Sequence, residues 1–523
     1  MTYIFRNHAV EYLFNPDCVF SGYGDISDIP IADEYLWFYQ LPIEFRDDVL
    51  VKTVDTYSRM VEMVAGKIDK NKLFIICSLD ICQHVSTVSG DNRLRQAVGG
   101  FNQVIHHLSE KNHNIKVLEI AEFHSRYSFE ELFNARYYFT AQLPYNPRCR
   151  SGFKLWMEQK RREIALLRKK CLILDLDNTI WGGIVGEDGT SGIKVGGEYP
   201  GNAFFLWQQG LKDLRQKGVI LTVCSKNNLS DINEVWETHP DMPLRLDDFA
   251  AVRVNWLDKA SNIRSLAEEL NIGLDSMVFV DDNPSERELV KGLLPEVAVP
   301  DFPEQPFGLI DFYDSLVGQF FSVYSLSVED SQKTEQYLAN RQREEAIASF
   351  STFEDYLKWL DIQLQICEMT PSSCVRAAQM TQKTNQFNLT THRYSEQDLQ
   401  QMQDEGARIF LLSVTDRLGE MGITGCIIIK SNLVDTYLLS CRILGRGIEQ
   451  AFILAVTEKL RSEGFHSIEA DYLPTKKNIQ VACFYDVLGA RQVAVSDDGS
   501  KHYYMDLDSL ENRIPNYYKV SWT

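Results

Sequence analysis

The chain has 523 residues, too many for one hydrophobic core, and we expect about three domains. An apolar fraction of 44% and a charged fraction of 24% are typical of globular proteins. The formal charge of −20 argues against general nucleic-acid binding, which needs a basic face. The first residues do not resemble a signal peptide, and no apolar run is long enough to span a membrane. The eleven cysteines lack zinc-site spacing, so we expect buried thiols in a reducing, cytoplasmic protein.

Short apolar runs alternate with helical stretches in residues 1–150, which predicts an α/β domain to which we assign no chemistry. Two prolines and a glycine in residues 143–152 indicate a linker. The second predicted domain, residues 151–320, begins with an amphipathic helix over 153–170 that leads into a strand. Apolar strands, polar turns and helical runs then repeat, which predicts a Rossmann-like α/β core with a parallel sheet.

Two carboxylates follow the first strand of this core. The segment CLILDLDNTIW (171–181) is a buried strand that ends in Asp175 and Asp177. If strand geometry continues, both side chains point to the same side, because orientation alternates with period two. Paired carboxylates at the end of an apolar strand are unfavourable unless a cation or a reaction uses them. The pair therefore indicates metal-assisted chemistry on a carboxylate.

The later strand ends complete the groups that covalent phosphoryl transfer needs. We predict Asp175 as the nucleophile and Asp177 as the general acid and base. Ser225 would hydrogen-bond the phosphoryl oxygens, and Lys259 would neutralise their charge. Turn carboxylates and a helix-capping serine would explain any one of these positions, but not the series. The metal is predicted to be Mg²⁺, and its predicted ligands are Asp175, Asp177, Asp281 and Asp282.

The sequence intervals that separate the predicted site residues, from the DLDNT segment to Ser225, Lys259 and Asp281, are too short to contain a large cap domain. A glycine-rich segment after the first strand, with Gly182, Gly183, Gly186 and Gly189, predicts a small hairpin over the site. An open site of this kind suits a large or protein-tethered substrate.

Cys224, directly before Ser225, has two interpretations. It is either a core cysteine at the end of a buried strand, or a thiol nucleophile whose pKa the cations Lys226 and Lys259 lower. Strict alternation points Cys224 and Ser225 to opposite faces, which counts against a shared pocket.

Residues 321–523 predict a linker helix and a mixed α+β domain. RILGRG (442–447) follows an apolar strand and opens a helix, so that backbone amides can approach a pyrophosphate. Together with the downstream Tyr485, this loop resembles the GNAT acyltransferase fold, in which it binds coenzyme A and a tyrosine acts as general acid. A loop that binds nothing is the alternative. The residues predicted to bind such a cofactor, or the phosphopantetheine arm of a carrier protein, are Arg442, Gly445, Arg446, Gly447 and Tyr485.

Four motifs occur in order, as DLDNT, CSK, the lysine of DKASN, and VDDNP, and they resemble the haloacid dehalogenase superfamily. With KTNQFNLTT inside the polar stretch 382–394, the chain is similar over roughly residues 140–500 to the FkbH-like family, subfamily IIIC. That polar stretch is either a solvated helix end or a region of ligand or interdomain contacts. The resemblance implies the roles assigned above to Asp175, Asp177, Ser225, Lys259 and Asp281, and makes Cys224 the candidate for a transient thioester.

The FkbH-like family is known for taking a glyceryl group from 1,3-bisphosphoglycerate, removing phosphate, and loading glycerate as a thioester on an acyl carrier protein. Such products feed polyketide extender units of the methoxymalonyl type. The resemblance therefore implies a phosphorylated three-carbon substrate and a carrier-protein partner. Two alternatives remain: a phosphatase or acyl-group donor in surface polysaccharide assembly, and a module that binds carrier proteins or coenzyme A and has a vestigial active site.

Overall fold

The computed structural model describes the chain except residues 82–87, 89, 327–338, 340, 341, 344, 345, 348 and 511–513. The linker helix predicted near the start of residues 321–523 falls largely on residues outside this description. Two compact units span Met1–Ala165 and Leu166–Thr523. The domain boundaries predicted after residues 150 and 320 stay predictions. In the described part of the chain, no helix combines the length and apolar character that a membrane span requires.

The first unit is an α/β structure with a five-stranded parallel sheet. Its strands are rich in aromatic and β-branched residues and have apolar clusters on both faces, as expected of a parallel sheet covered by helices. Its elements are β1 (Thr2–Arg6), β2 (Val19–Tyr23), β3 (Glu34–Phe38), α1 (Asp47–Lys67), β4 (Leu73–Cys77), α2 (Arg93–Lys111), β5 (Ile115–Leu118), α3 (Ile120–His124), α4 (Phe129–Leu132), α5 (Ala135–Ala141) and α6 (Arg150–Ile164). The strand order is β2-β1-β3-β4-β5.

The stretch 143–152 is not a linker. Tyr145 and Cys149 are buried, and they belong to the same apolar cluster as Phe153 and Trp156 of α6. The prolines and the glycine of this stretch mark a turn, but its aromatic and sulfur side chains bury enough apolar surface to hold it against the first unit. The helix predicted over 153–170 is therefore part of that unit's core.

The second unit begins with the predicted parallel core, and the predicted α/β fold class is confirmed. Its elements are β6 (Cys171–Leu174), α7 (Val185–Asp188), α8 (Gly201–Gln216), β7 (Ile220–Ser225), α9 (Leu229–Thr238), β8 (Ala251–Val254), α10 (Lys259–Glu269), β9 (Met277–Val280), α11 (Pro284–Leu293) and α12 (Leu309–Leu316). The strands lie in the order β8-β7-β6-β9 and are all parallel, so the residues after β6, β7 and β9 meet at one edge.

The C-terminal part of the second unit has the predicted α+β character. Its elements are α13 (Phe353–Leu360), β10 (Gln363–Glu368), α14 (Pro371–Lys383), β11 (Phe387–Asn388), α15 (Glu396–Asp404), β12 (Arg408–Asp416), β13 (Gly419–Lys430), β14 (Leu433–Leu439), α16 (Ile448–Ser462), β15 (Ser467–Tyr472), α17 (Phe484–Val487), β16 (Arg491–Val495), β17 (Lys501–Asp506) and β18 (Lys519–Trp522). The strand order is β16-β17-β15-β14-β13-β12-β10-β18, with β11 added on β14.

A buried ion pair connects the segment before α13 to this sheet. The Arg343 guanidinium donates from Nε and Nη2 to the two carboxylate oxygens of Asp416, each at 2.7 Å, and both side chains are almost fully buried. Asp416 Oδ1 also accepts a hydrogen bond from the Leu418 amide. Removal of one partner of such a pair leaves an uncompensated buried charge.

We expect Asp416→Ala to lower the free energy of unfolding by about 3–5 kcal/mol, because Arg343 would lose its bidentate partner in the interior. Urea denaturation followed by circular dichroism measures the change. The control is Glu354→Ala, which removes the acidic partner of the exposed Lys358 on α13 and should change stability by less than about 1 kcal/mol. Equal effects of the two variants would contradict the assignment.

Candidate active site

Asp175 lies directly after β6, and its side chain is buried at the carboxyl edge of the parallel sheet. Its amide donates to the Val280 carbonyl at the end of β9, which fixes the backbone beside the neighbouring strand. Its Oδ1 lies 3.0 Å from Lys259 Nζ, but it makes no hydrogen bond of good geometry in the described structure. A buried carboxylate oxygen in this state is suited to a ligand that is not a protein group.

Lys259 is placed by the start of α10. Asp258 caps this helix by accepting a hydrogen bond from the Ser261 amide at 2.8 Å, so Lys259 occupies the first helical position. Its ammonium group is only 3% exposed and contacts the carboxylates of both Asp175 and Asp281. Burial alone would lower the pKa of Lys259, but the two carboxylates overcome that effect and raise the pKa. The ammonium group is therefore charged at neutral pH.

Asp281 and Asp282 follow β9, where several contacts hold the turn. Asp281 Oδ1 accepts from the Asn283 amide at 2.8 Å, and Arg287 donates to the carbonyls of Asp281 and Asp282 at 2.8 and 2.7 Å. Thr179 accepts from the Asp282 amide at 3.1 Å and so joins this turn to the segment after β6. Thr179 and Arg287 were not predicted as site residues. The sequence signal for Thr179 is its place as the last residue of DLDNT, and that for Arg287 is its position three residues after VDDNP.

The carboxylates at this edge repel one another. Burial, followed by the charge of Asp175, raises the pKa of Asp281 to about 6 and also raises the pKa of Asp282. One oxygen from each of Asp175, Asp281 and Asp282 lies within 4.8 Å of the others. Three acidic groups and one lysine leave an excess of negative charge in a buried place, which a divalent cation would offset.

The residues fit Mg²⁺. A hard cation takes oxygen ligands and tolerates water in its remaining positions, and these three carboxylates offer such oxygens at suitable mutual distances. The oxygen of Asp175 without a hydrogen bond is a further open position. We therefore assign Asp175, Asp281 and Asp282 as the side chains that would hold the metal.

The assignment of Asp177 as a metal ligand stays a prediction, and the structure shows other contacts for its carboxylate. Its Oδ1 accepts from the Trp181 indole at 2.9 Å and from the Val185 amide at 3.1 Å, and its Oδ2 accepts from Asn227 at 2.9 Å. Among the described residues, the carboxylates whose oxygens lie close enough together to share a cation are those of Asp175, Asp281 and Asp282. The role of Asp177 as general acid and base stays a prediction.

Ser225 ends β7 as predicted, and its side chain is buried at the same edge. Asn227, two residues later, donates to Ser225 Oγ at 3.3 Å as well as to Asp177. Asn227 was missed by the sequence reasoning, although its i, i+2 spacing from Ser225 places it on the same side of an extended chain. Lys226 pairs with Glu286 at 2.6 Å, so its charge is committed to α11.

The glycine-rich segment is closed by one antiparallel pair, in which the backbones of Gly182 and Lys194 exchange hydrogen bonds of 3.2 and 2.8 Å. The short helix α7 lies inside the segment, so it is a helical loop rather than the predicted simple hairpin. Gly183 has φ of +99°, and an added Cβ would lie 2.6 Å from Asp188 Oδ2, which accepts from the Ile184 amide. The segment is therefore fixed by contacts that only glycine permits at that position.

The expectation that nearby cations lower the pKa of Cys224 is wrong. Burial raises the pKa of this thiol to about 12, despite the opposing charge of Lys259. Cys224 lies in an apolar cluster with Cys171, Ile173 and Phe279, and its thiol contacts the Lys259 carbonyl at 3.8 Å. The alternation of β7 therefore gives Cys224 the environment of a core cysteine.

In the predicted cofactor loop before α16, one backbone amide donates a hydrogen bond to an acidic side chain of that helix. Gly445 and Gly447 both have φ of +76°, as a tight strand-to-helix turn requires. The Gly445 amide donates to the carboxylate of Glu449, a buried residue in the first turn of α16. A carboxylate at this position stabilises the helix N-terminus. It also occupies an amide that would otherwise be offered to a pyrophosphate.

The side chains of the predicted cofactor residues differ in their surroundings, and their binding role stays a prediction. Arg446 is half-buried with its guanidinium 3.9 Å from Asp416, and desolvation lowers its pKa. Tyr485 is buried in the apolar core beside Phe484 and Tyr503, where burial raises its pKa. A phenol in such surroundings is poorly placed to act as a general acid. Arg442 instead lines a cavity beside the parallel core, away from the start of α16.

The KTNQFNLTT segment fills the space between two strands of the C-terminal sheet. β14 and β15 pair in parallel only at Leu433–Val434 and Glu469–Ala470. Beyond that point, β11 pairs with the end of β14, and Leu389 accepts from the Leu473 amide at 2.8 Å. Gln386 donates to Asn271 of the parallel core, so the segment also makes the interdomain contact considered as one of its interpretations.

No family model matches the chain, and no curated protein matches it. The N-terminal part of the protein BF1531 from Bacteroides fragilis, which contains a phosphatase domain and was crystallised with Mg, is similar in structure. It has 28% sequence identity and a TM-score of 0.54, over 62% of this chain and 94% of that chain. This similarity agrees with a phosphatase-type fold.

Acetyltransferase structures also match, over smaller parts of the chain. The ribosomal-protein-S18-alanine N-acetyltransferase of Escherichia coli has 12% identity and a TM-score of 0.22, over 29% of this chain and 99% of that chain. An acetyltransferase from Thermus thermophilus has 16% identity and a TM-score of 0.22, over 28% and 99%. Scores this low support no conclusion about acyl transfer.

We expect the Cys224 thiol to react at least about a hundred-fold more slowly with iodoacetamide at pH 7.5 than the exposed thiol of Cys483. The physical reason is burial, which both excludes the reagent and disfavours the thiolate. Alkylation of the native protein, followed by peptide mass spectrometry over time, measures both rates. Comparable rates would show that Cys224 is an accessible nucleophile.

Proposed function

We propose that the chain is a magnesium-dependent phosphatase and glyceryltransferase that removes phosphate from a phosphoglyceryl group and loads glycerate on an acyl carrier protein. The observation that carries the phosphatase part is the buried Lys259 between Asp175 and Asp281 at the carboxyl edge of the parallel sheet. The Bacteroides fragilis phosphatase domain crystallised with Mg supports the same reaction class. The glyceryl and carrier-protein parts rest on the resemblance to the FkbH-like family.

Phosphoryl transfer begins with a carboxylate oxygen of Asp175 attacking the phosphorus atom. The P–O bond to the glyceryl oxygen breaks, and Asp177 in its protonated form gives that oxygen a proton. Lys259 and Ser225 offer the cation and the hydroxyl that stabilise the charge on the phosphoryl oxygens. Mg²⁺, held by Asp175 and the two carboxylates after β9, would supply further charge neutralisation.

The second half-reaction restores the enzyme. Asp177, now a carboxylate, accepts a proton from a water molecule that attacks the phosphorus atom of the Asp175 acyl phosphate. The phosphorus–oxygen bond to Asp175 breaks, and inorganic phosphate leaves. The hydrogen bonds from Trp181 and Asn227 hold the Asp177 carboxylate in one orientation for both proton transfers.

Loading of the carrier protein is a separate acyl transfer. The thiol of the carrier's phosphopantetheine arm attacks the acyl carbon of 1,3-bisphosphoglycerate, the bond from that carbon to the phosphate oxygen breaks, and phosphate leaves with the thiol proton. The carrier thiol is the acceptor in this proposal, because the buried Cys224 has a raised pKa and is unsuited to carry the acyl group first.

We expect Asp175→Asn to lower the rate of phosphate release by at least about a thousand-fold, because an amide cannot form the acyl phosphate. The matched control is Asp301→Asn, which removes an exposed carboxylate elsewhere in the second unit and should leave the rate unchanged. Phosphate release from a generic phosphomonoester with Mg²⁺ measures both. An unchanged rate in Asp175→Asn would disprove the nucleophile assignment.

The carrier-protein role is tested with 1,3-bisphosphoglycerate labelled in the glyceryl carbons and an acyl carrier protein in its phosphopantetheine form. We expect a glyceryl thioester on the carrier, detected by intact mass and released by hydroxylamine. The control is the carrier without its phosphopantetheine arm, which should remain unlabelled. Phosphate release without any thioester would keep the phosphatase and reject the carrier, leaving a role in polysaccharide assembly as the alternative.

A further inference from the structure

A cavity of about 520 Å³ lies between the parallel core and the C-terminal sheet of the second unit. Its core side includes Lys170 and Ser276, which directly precede β6 and β9, and Ile220, which begins β7. Its other side is formed by the C-terminal end of α14, the KTNQ segment and the residues after β14. None of these residues belongs to the candidate active site.

Cationic side chains predominate around this cavity. Only two acidic residues, Asp275 and Glu296, line it. Its five cationic residues come from separate parts of the chain, namely Lys170, Arg376, Lys383, Arg442 and Lys477. In a chain with a formal charge of −20, this local excess of positive charge is not a consequence of composition.

Asp275 lies close to several lysines on the core side of the cavity. A hydrogen bond of 2.9 Å from Lys477 holds the pKa of Asp275 below its usual range, and the charges of Lys169 and Lys170 contribute in the same direction. Arg376 is held in place by hydrogen bonds to the Ile423 carbonyl, and it approaches the buried Gln379.

Uncharged groups complete the lining. Side-chain amides and hydroxyls come from Gln379, Thr384, Asn385 and Gln386, and the Oε1 atom of Gln386 is buried without a hydrogen bond in the described structure. Apolar surface comes from side chains such as Leu274, Met380 and Leu439. A ligand that matches this lining has a strong negative charge, hydrogen-bonding groups and an apolar part.

The cavity is separate from the reaction centre. The strands of the core are parallel, so Lys170, before β6, and Asp175, after it, stand at opposite edges of the sheet. Five residues of extended chain span about 16 Å. A molecule in the cavity therefore cannot take part in phosphoryl transfer at Asp175.

We propose that this cavity is a second ligand site that binds a small organic phosphate, with its phosphate among the five cationic side chains and its uncharged part against the amides and apolar groups. A doubly charged phosphate matches the excess of cations better than a single carboxylate does. Because both the core and the C-terminal sheet line the cavity, the bound phosphate stabilises the contact between them.

The test uses the full chain carrying Asp175→Asn, with chelator present, so that turnover does not affect it and its result is independent of the proposed function. Adenosine 5′-monophosphate, inorganic phosphate and citrate serve as probes in isothermal titration calorimetry and thermal unfolding. We expect the nucleotide to bind and to raise the unfolding temperature. We expect Lys170→Gln and Lys383→Gln, each measured alone, to weaken binding at least ten-fold.

The matched control is Lys358→Gln, which removes a lysine from the exposed face of α13 and should leave the affinity unchanged. Circular dichroism establishes that each variant is folded, and the two cavity variants lie on different elements, so failure of one to fold leaves the other. No binding of either phosphate probe at millimolar concentration, or binding that neither cavity variant weakens, would overturn the proposal. Binding of citrate alone would overturn the assignment of a phosphate.

Discussion

The buried ammonium group of Lys259 determines the arrangement of the candidate active site. A lysine this deeply buried would be neutral or absent without acidic partners, because desolvation penalises its charged form. Asp175 and Asp281 supply that compensation from two different strand ends. The three groups are therefore mutually dependent: loss of either carboxylate would leave the others with unbalanced charge in the interior.

Hydrogen bonds also fix the backbone segments that carry these charged groups at the carboxyl edge of the parallel sheet. The turn after β9 is held by Asn283 and Arg287, and the start of α10 is capped by Asp258. These contacts fix backbone positions, so that the charges meet without relying on flexible side chains. The excess negative charge that remains favours a divalent cation. Burial, followed by the charge of Asp175, raises the pKa of Asp281.

The strand ends were predictable because the polarity of a parallel sheet brings distant sequence positions to one edge. Asp175, Ser225, Lys259 and Asp281 follow from that rule. The orientation of a carboxylate does not, because it depends on donors from other elements. Asp177 is the example: its carboxylate accepts hydrogen bonds from the indole of Trp181 and the side-chain amide of Asn227, two contacts that its position after β6 does not specify.

The loop before α16, whose cofactor role stays a prediction, shows the same dependence on other elements. Gly445 and Gly447 have the positive φ angles that the pattern predicts. The Gly445 amide, however, donates to Glu449, and the Arg446 guanidinium lies 3.9 Å from Asp416. A sequence pattern specifies which amides can approach an anion. It does not specify whether a side chain of the same helix reaches them first. The burial of Tyr485 on α17 likewise depends on packing against Tyr503, eighteen residues later on β17.

The two edges of the parallel sheet carry opposite chemistry. After the strands lies a group of carboxylates that would favour a metal ion. Near the residues that precede the strands lie lysines and arginines that would favour an anion. The strands of the parallel core hold the carboxylate group and the cationic cavity apart by the length of one strand. Because residues of the C-terminal sheet also line the cationic cavity, a ligand bound there would contact both parts of the second unit, whereas Asp175, Lys259 and Asp281 at the acidic edge all belong to the parallel core.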